Sequence, residues 1–284
     1  MSDRVAIVGV GLIGGSFGLA LKAAGHDGEL VGVGRDPERL EDAVRAGAVD
    51  RVETDVVAGV SGAAVVLLAV PMGAMRAVLE AIAPGLGDDT VVTDAGSVKG
   101  SFVRDARAVL GSLERVVPGH PIAGTERSGV GAAFPELFRG RRVILTPLEE
   151  TGESATECVR RLWSMTGAAV ECLSVEAHDR LLAATSHLPH MLAFGLVDAL
   201  ARGDDPEAVF RYAAGGFRDF TRIASSDPVM WRDICLANRE SLLAALEAYR
   251  DDLDDLTAEV RSGDGEGLLA RFRRAKSARD RFCG

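Results

Sequence analysis

RVAIVGVGLIGGSFGLAL, residues 4–21, places Gly9, Gly11 and Gly14 in a G-x-G-x-x-G spacing, directly after a β-branched run and at the opening of an apolar helical pattern. Each glycine has its own task in a dinucleotide site. One makes a tight turn, one lets the backbone approach a pyrophosphate, and one lets helix pack closely on strand. The phosphates then face the positive end of the helix, where Leu12 and Ile13 offer backbone N–H groups. The spacing alone is weak in a chain with 33 glycines. Its strand–turn–helix setting is what points to a nucleotide.

The same texture continues to about residue 173. Short apolar runs at 29–34, 63–70, 90–96, 115–119, 141–147 and 168–175 alternate with amphipathic stretches. This pattern predicts an α/β fold, a mainly parallel sheet covered on both faces. Val70 and Pro71, closing the third of the β-branched runs, border the nucleotide crevice. From residue 174 onward the pattern becomes helical, beginning with VEAHDRLLAATSHLPHMLAFGLVDALAR. Two domains are therefore expected, a nucleotide-binding one over 1–173 and an all-helical one over 174–284. Pro189 should kink or interrupt the first long helix, because it lacks a backbone donor. Leu246, Tyr249, Leu253, Leu256 and Val260 form a heptad-like seam that packs either within its own domain or against a second copy in a homodimer.

Composition narrows the function. A net charge of −10 offers no basic surface for nucleic acid or anionic membrane. No run of about twenty apolar residues is present, and the four cysteines show neither paired nor metal-ligand spacing. A soluble, cytoplasmic protein without a metal is expected. Lysine is confined to Lys22, Lys99 and Lys276.

The end of the second run bears on the cofactor. NAD sites usually carry an acidic residue there for the ribose hydroxyls, whereas this chain has Gly34, Arg35 and Asp36. Arg35 suits a 2′-phosphate, and Asp36 before Pro37 reads as a helix cap. NADP is the expected cofactor, with NAD the alternative. The other reading leaves Arg35 as a solvated loop residue.

Two further segments carry candidate chemistry. VVPGHPIAGTERSGV (116–130) sets His120 just after a run read as a strand, either as a base delivered to a cleft or as a loop residue. TDAGSVKGS (93–101) ends another run with Ser97 and Lys99, a hydroxyl and an ammonium placed where open parallel sheets bind ligands. Ser97 reads equally as a helix cap. In GGFRDFTRIASSDPVMWRDI (215–234), arginines are interleaved with aromatic residues, so one guanidinium is expected to meet a carboxylate. The HLPH stretch (187–190) lacks the carboxylate of an HExxH zinc motif.

Taken in order, GVGLIGGS, DAGSVKG, GHPIAGTERSGV, HDRLLAATSHLPH and GGFRDFTRIASSDPVMWRDI resemble the prephenate/arogenate dehydrogenase family over roughly residues 4 to 240. The resemblance implies a Rossmann-like domain followed by a helical dimerisation domain, with the active site between them. It also implies that His120 is the catalytic histidine, that Ser97 assists beside the nicotinamide, and that Arg222 holds the ring carboxylate. Thr125, Glu126, His190 and Trp231 match other pocket residues, and Asp219 matches a support for Arg222 or for its subunit contact. Alternatives are a β-hydroxyacid or imine-type dehydrogenase, a dehydrogenase of an amino-substituted prephenate analogue, and an NADP-sensing regulator. The lack of lysine between Lys99 and Lys276 counts against the lysine-dependent members of the first group.

Overall fold

The computed structural model describes residues 4–125 and 127–283. The apolar runs become strands β1 (Val5–Val8), β2 (Leu30–Val33), β3 (Arg51–Glu53), β4 (Val65–Leu68), β5 (Val91–Asp94) and β6 (Val116–Val117) of one parallel sheet, ordered β3-β2-β1-β4-β5-β6. Helices α1 (Leu12–Ala23), α2 (Pro37–Arg45) and α6 (Glu153–Met165) cover one face. Helices α3 (Val56–Val60), α4 (Met75–Ile82) and α5 (Lys99–Leu110) cover the other. Side chains alternate accordingly: Val5 and Ile7 of β1 join the core with Phe17 and Trp163, while Ala6 and Val8 join the one with Leu79 and Phe102. This is a doubly wound, Rossmann-like arrangement.

The runs at 141–147 and 168–175 do not extend that sheet. They form β8 (Arg142–Leu145) and β9 (Ala169–Cys172) of a second sheet, ordered β7-β8-β9, with β7 (Gly119–Pro121) antiparallel to β8. Pro118 explains the switch. It has no N–H to continue the β6 ladder, and its carbonyl instead accepts from the Thr146 N–H at 2.9 Å. The three-residue β3, with no fully buried side chain, escaped the periodicity reading.

The helical half begins with α7 (Val175–Leu182), a π-helical turn (Ala183–His187) and α8 (Leu188–Ala201). Pro189 lies in the first turn of α8, where its missing donor is tolerated, and the interruption expected there is taken up by the π turn before it. Helices α9 (Pro206–Arg211), α10 (Gly215–Thr221) and α11 (Pro228–Ala237) follow. By its contacts the chain divides into Met1–Asn238 and Arg239–Gly284. The second unit holds α12 (Arg239–Ser262) and α13 (Gly265–Cys283), which are joined through Gly263 at φ 69° and braced by Arg271 against Asp252 and Glu259.

Glycine packing makes a stability test. A Cβ on Gly18 of α1 would sit 2.0 Å from the Ala48 carbonyl oxygen, whereas one on Gly11 would meet nothing within 4 Å. Gly18→Ala is expected to lower the urea midpoint by the equivalent of about 1–3 kcal/mol. Gly11→Ala should leave it nearly unchanged, and equilibrium unfolding of both variants checks the contrast.

Candidate active site

The nucleotide cradle forms where β1 runs into α1. Gly9 takes φ 93°, a backbone conformation that favours glycine. A Cβ there would lie 2.5 Å from the Ala69 carbonyl oxygen and 2.9 Å from Val70 Cγ1, so Val70 closes against the turn. A Cβ on Gly14 would lie 2.3 Å from the Gly9 carbonyl oxygen. Gly11 caps α1 with no side-chain bond, and no acidic residue occupies the first turn. The open face at Gly11 and the first N–H groups of α1, on Leu12 and Ile13, therefore fit a pyrophosphate. Pro71 follows Val70 and starts a short 3₁₀ turn. At the end of β2, Asp36 Oδ1 accepts from the Glu38 and Arg39 N–H groups at 3.1 and 3.3 Å, so its carboxylate caps α2. Arg35 beside it is exposed.

A buried polar cluster lies past β5. Lys99 and Asp94 are both fully buried and ion-paired, and Lys99 Nζ also donates to the Gly119 carbonyl. Asp94 accepts from the Gly119 N–H at 3.1 Å and the Gly96 N–H at 2.8 Å. One carboxylate thus ties the Ser97 loop to the strand that bears His120. Burial pushes the Asp94 carboxyl up and the Lys99 ammonium down, each against the attraction of the other.

His120 is the middle residue of β7 and is 9% exposed. Its Nδ1 lies 2.9 Å from His178 Nε2, and His178 Nδ1 lies 2.8 Å from Asp179 Oδ1. Asp179 in turn accepts the Lys99 N–H at 2.9 Å and the Gly100 N–H at 2.8 Å, capping α5 from the helical half. Burial alone would raise the Asp179 carboxyl. The hydrogen bonds from His178, Lys99 and Gly100 outweigh it and hold the pKa below the usual value. Burial, then the charge of Lys99, pushes His120 well below 6.5. His187 is pushed down to about 4, mainly by burial. Its Nδ1 lies 3.1 Å from Asn238 Nδ2, which also donates to the Asp179 carbonyl at 2.8 Å.

The next wall is aromatic. His190 stacks on Trp231 with ring centroids 3.6 Å apart, and its Nδ1 donates to the Ser186 carbonyl at 2.8 Å. Arg222 follows α10 and lies close enough that its charge joins burial in lowering the His190 pKa, against the opposing Ser186 carbonyl. Trp231 Nε1 is buried without a hydrogen-bond partner.

Comparison with known families covers both the sheet half from residue 17 onward and the helical segments that carry His178, His190, Arg222 and Trp231. The family model described as prephenate dehydrogenase, nucleotide-binding domain, matches residues 17–172, and prephenate dehydrogenase, dimerization domain, matches residues 174–274. The chain belongs to the prephenate dehydrogenase family. It is 40% identical to the cyclohexadienyl dehydrogenase of Zymomonas mobilis over 279 residues, covering 97% of this chain and 94% of that one. Prephenate dehydrogenase from Aquifex aeolicus, solved in complex with hydroxyphenyl propionate and NAD+, superposes with a TM-score of 0.93 at 40% identity, covering 99% of this chain and 98% of that one. Synechocystis arogenate dehydrogenase gives 0.85 at 29% identity over 98% and 99%. As a member of this family the chain is an NAD(P)-dependent oxidoreductase.

Set on this prephenate dehydrogenase framework, the sequence reading needs three corrections. His120 follows β6 of the main sheet but is itself inside β7 of the second sheet, not in a loop. Lys99 does not offer its ammonium to a ligand, since it is fully buried on Asp94 and Gly119. Ser97 does not cap α5: Val98 holds the cap position with no side-chain bond, and Asp179 supplies the acceptor. Thr125 is exposed, accepts from the Arg127 N–H, and lines a surface depression with Ile122, Phe134 and Arg139 that does not include His120. Glu126 lies outside the described residues. Among the described residues no group of three or more His, Cys, Asp or Glu could hold a metal, and no helix is long and apolar enough to cross a membrane. Sequence reasoning passed over the roles of His178, Asp179 and Asn238. The adjacent His-Asp pair at the start of the helical half was the available signal.

The buried histidines set a pH dependence of stability. An unfolded histidine titrates near 6.5, so between about pH 6.5 and 4 the unfolded chain binds a proton that folded His187 does not, and His120, also held low by burial, acts in the same direction. The folded state therefore loses stability as pH falls through that range. Asp94, raised by burial, acts in the opposite sense. The urea midpoint should drop from pH 7 to pH 5, and His187→Gln should flatten that drop even though it lowers the midpoint at pH 7.

Proposed function

We propose that this enzyme oxidatively decarboxylates prephenate, arogenate or both, with His120 as the proton acceptor. The observation that carries the reading is a buried histidine held neutral beside Lys99, on a strand tied through Asp94 to the loop that follows β5. Both substrates are cyclohexadienols with a hydroxyl on one ring carbon and a carboxylate on the opposite one. When bound, the nicotinamide accepts the hydride from the carbinol carbon. His120 takes the hydroxyl proton, so that carbon becomes a carbonyl. The ring carboxylate then leaves as carbon dioxide, its bonding pair enters the ring, and the carbonyl oxygen becomes a phenolate that recovers the proton from His120 to give the phenol.

Arg222 holds the ring carboxylate in a charge-assisted pair, supported by Asp219. His190 and Trp231 supply the wall of the pocket, Ser97 assists His120, and Thr125 and Glu126 complete the substrate site. Gly9, Gly11, Leu12, Ile13, Gly14, Val70 and Pro71 hold the dinucleotide. The functional division falls at residues 173 and 174, and the helical half forms a homodimer. That assembly is supported by the dimerization-domain match and by α8, whose sequence is apolar nearly all round while Met191 and Leu196 stay exposed in the single chain. The seam residues Tyr249, Leu253 and Val260 are exposed on α12 in the same way. The compartment is the cytoplasm.

NADP is the preferred cofactor in this reading. Asp36 is engaged in capping α2, Gly34 puts no acidic side chain at the end of β2, and exposed Arg35 can pair with a 2′-phosphate. Arg35→Ala is expected to lower kcat/KM with NADP about tenfold or more and to leave kcat/KM with NAD within about twofold, measured as steady-state rates on both cofactors.

His120→Asn is expected to keep cofactor affinity and to lower kcat by at least about 100-fold with prephenate and with arogenate. Fluorescence titration of the cofactor and steady-state kinetics check the two halves of this expectation. An unchanged kcat overturns the assignment.

A further inference from the structure

The proton chemistry of His120 needs one particular ring nitrogen to carry a lone pair, and the hydrogen bonds around it decide which. Asp179 Oδ1 and Oδ2 accept the first two backbone N–H groups of α5, from Lys99 and Gly100. A carboxylate on backbone donors at the N-terminus of a twelve-residue helix is held ionised by those donors and by the helix dipole. An ionised carboxylate only accepts, so the His178 nitrogen 2.8 Å from it, Nδ1, must carry a proton. When that is the ring's one proton, fully buried His178 has its lone pair on Nε2. That atom lies 2.9 Å from His120 Nδ1, which is then the donor of the pair.

We propose that His178 is a positioning residue that fixes His120 as the Nδ1–H tautomer, leaving the Nε2 lone pair as the atom that accepts the substrate's hydroxyl proton. The proposal rests on the reading of His120 as that acceptor. The chain runs from the α5 N-terminus through Asp179 and His178 to His120: Asp179 accepts from α5 and from His178, and His178 accepts from His120. Without the His178 acceptor, either nitrogen of His120 can carry the proton, and the molecules with Nε2–H are inactive. The flanking contacts fix the geometry. Asn238 Nδ2 holds the Asp179 carbonyl, and the two imidazole rings meet edge to face at 5.1 Å. When His120 takes the proton it becomes an imidazolium whose Nδ1–H still donates to His178, so no proton has to leave the site during the step.

The test uses the full-length enzyme with ¹⁵N-labelled histidine, the His120 signals being assigned by their absence from the His120→Gln spectrum. In the wild type the His120 Nε2 should show the shift of a lone-pair nitrogen and Nδ1 that of an N–H. His178→Phe, which has no acceptor, should populate the other tautomer and lower kcat by roughly 10- to 100-fold, with KM and cofactor affinity within about twofold. His178→Gln, whose amide oxygen can accept, should recover much of that loss. A wild-type spectrum with Nε2 protonated overturns the proposal even if His178→Phe does not fold. So does a folded His178→Phe with unchanged kcat, or a His178→Gln no better than His178→Phe. Full turnover in His120→Asn would instead overturn the reading beneath it, whichever tautomer the spectrum shows.

Discussion

The Asp179 carboxylate, seated on the first two N–H groups of α5, is the contact on which the site depends. It belongs to the helical half, yet it caps a helix of the sheet half eighty residues earlier in the chain. It also holds His178, whose other nitrogen meets His120, and its own carbonyl is held by Asn238. Loss of one acceptor would leave two backbone donors and an imidazole N–H unpaired in a buried place, each of which is costly. The same atoms that join the two halves therefore orient His120.

Lys99 and Asp94 do related work from below. Two buried charges gain little net stability over an apolar pair, so energy alone gives no reason for them. Their geometry does. Asp94 binds the N–H of Gly119 and Lys99 its carbonyl, so both backbone groups of the residue before His120 are fixed. A Cβ on Gly119 would also come within 2.9 Å of the Asp94 carbonyl oxygen, which limits that position to glycine. The ammonium then disfavours a second positive charge on His120.

Much of this was legible in the sequence, and the parts that were not share a cause. The glycine turn, the long strands and the capping role of Asp36 are local: a few neighbours and their spacing decide them. So is the proline-driven interruption of the first long helix. By contrast, the second sheet depends on Pro118 diverting the chain and on β8 lying in reach, and no window of sequence contains both. Lys99 illustrates the same limit. At the end of a strand run it looks like a ligand for an anion, and only the fold shows that Asp94 claims it. His178 was passed over because its meaning comes from three residues, at 99, 100 and 120, that are distant in sequence.

The π-helical turn at Ala183–His187 has a consequence for how this segment tolerates change in length. A π turn holds one residue more than the α-helix around it. Deleting a residue there would restore regular hydrogen bonding and rotate everything downstream by about 100° about the helix axis. His190 would swing off Trp231, and the gain in helix regularity would come with the loss of that ring stack. In this stretch the number of residues is therefore constrained more tightly than their identity, and insertions or deletions should be accepted on the far side of α8 well before they are accepted here.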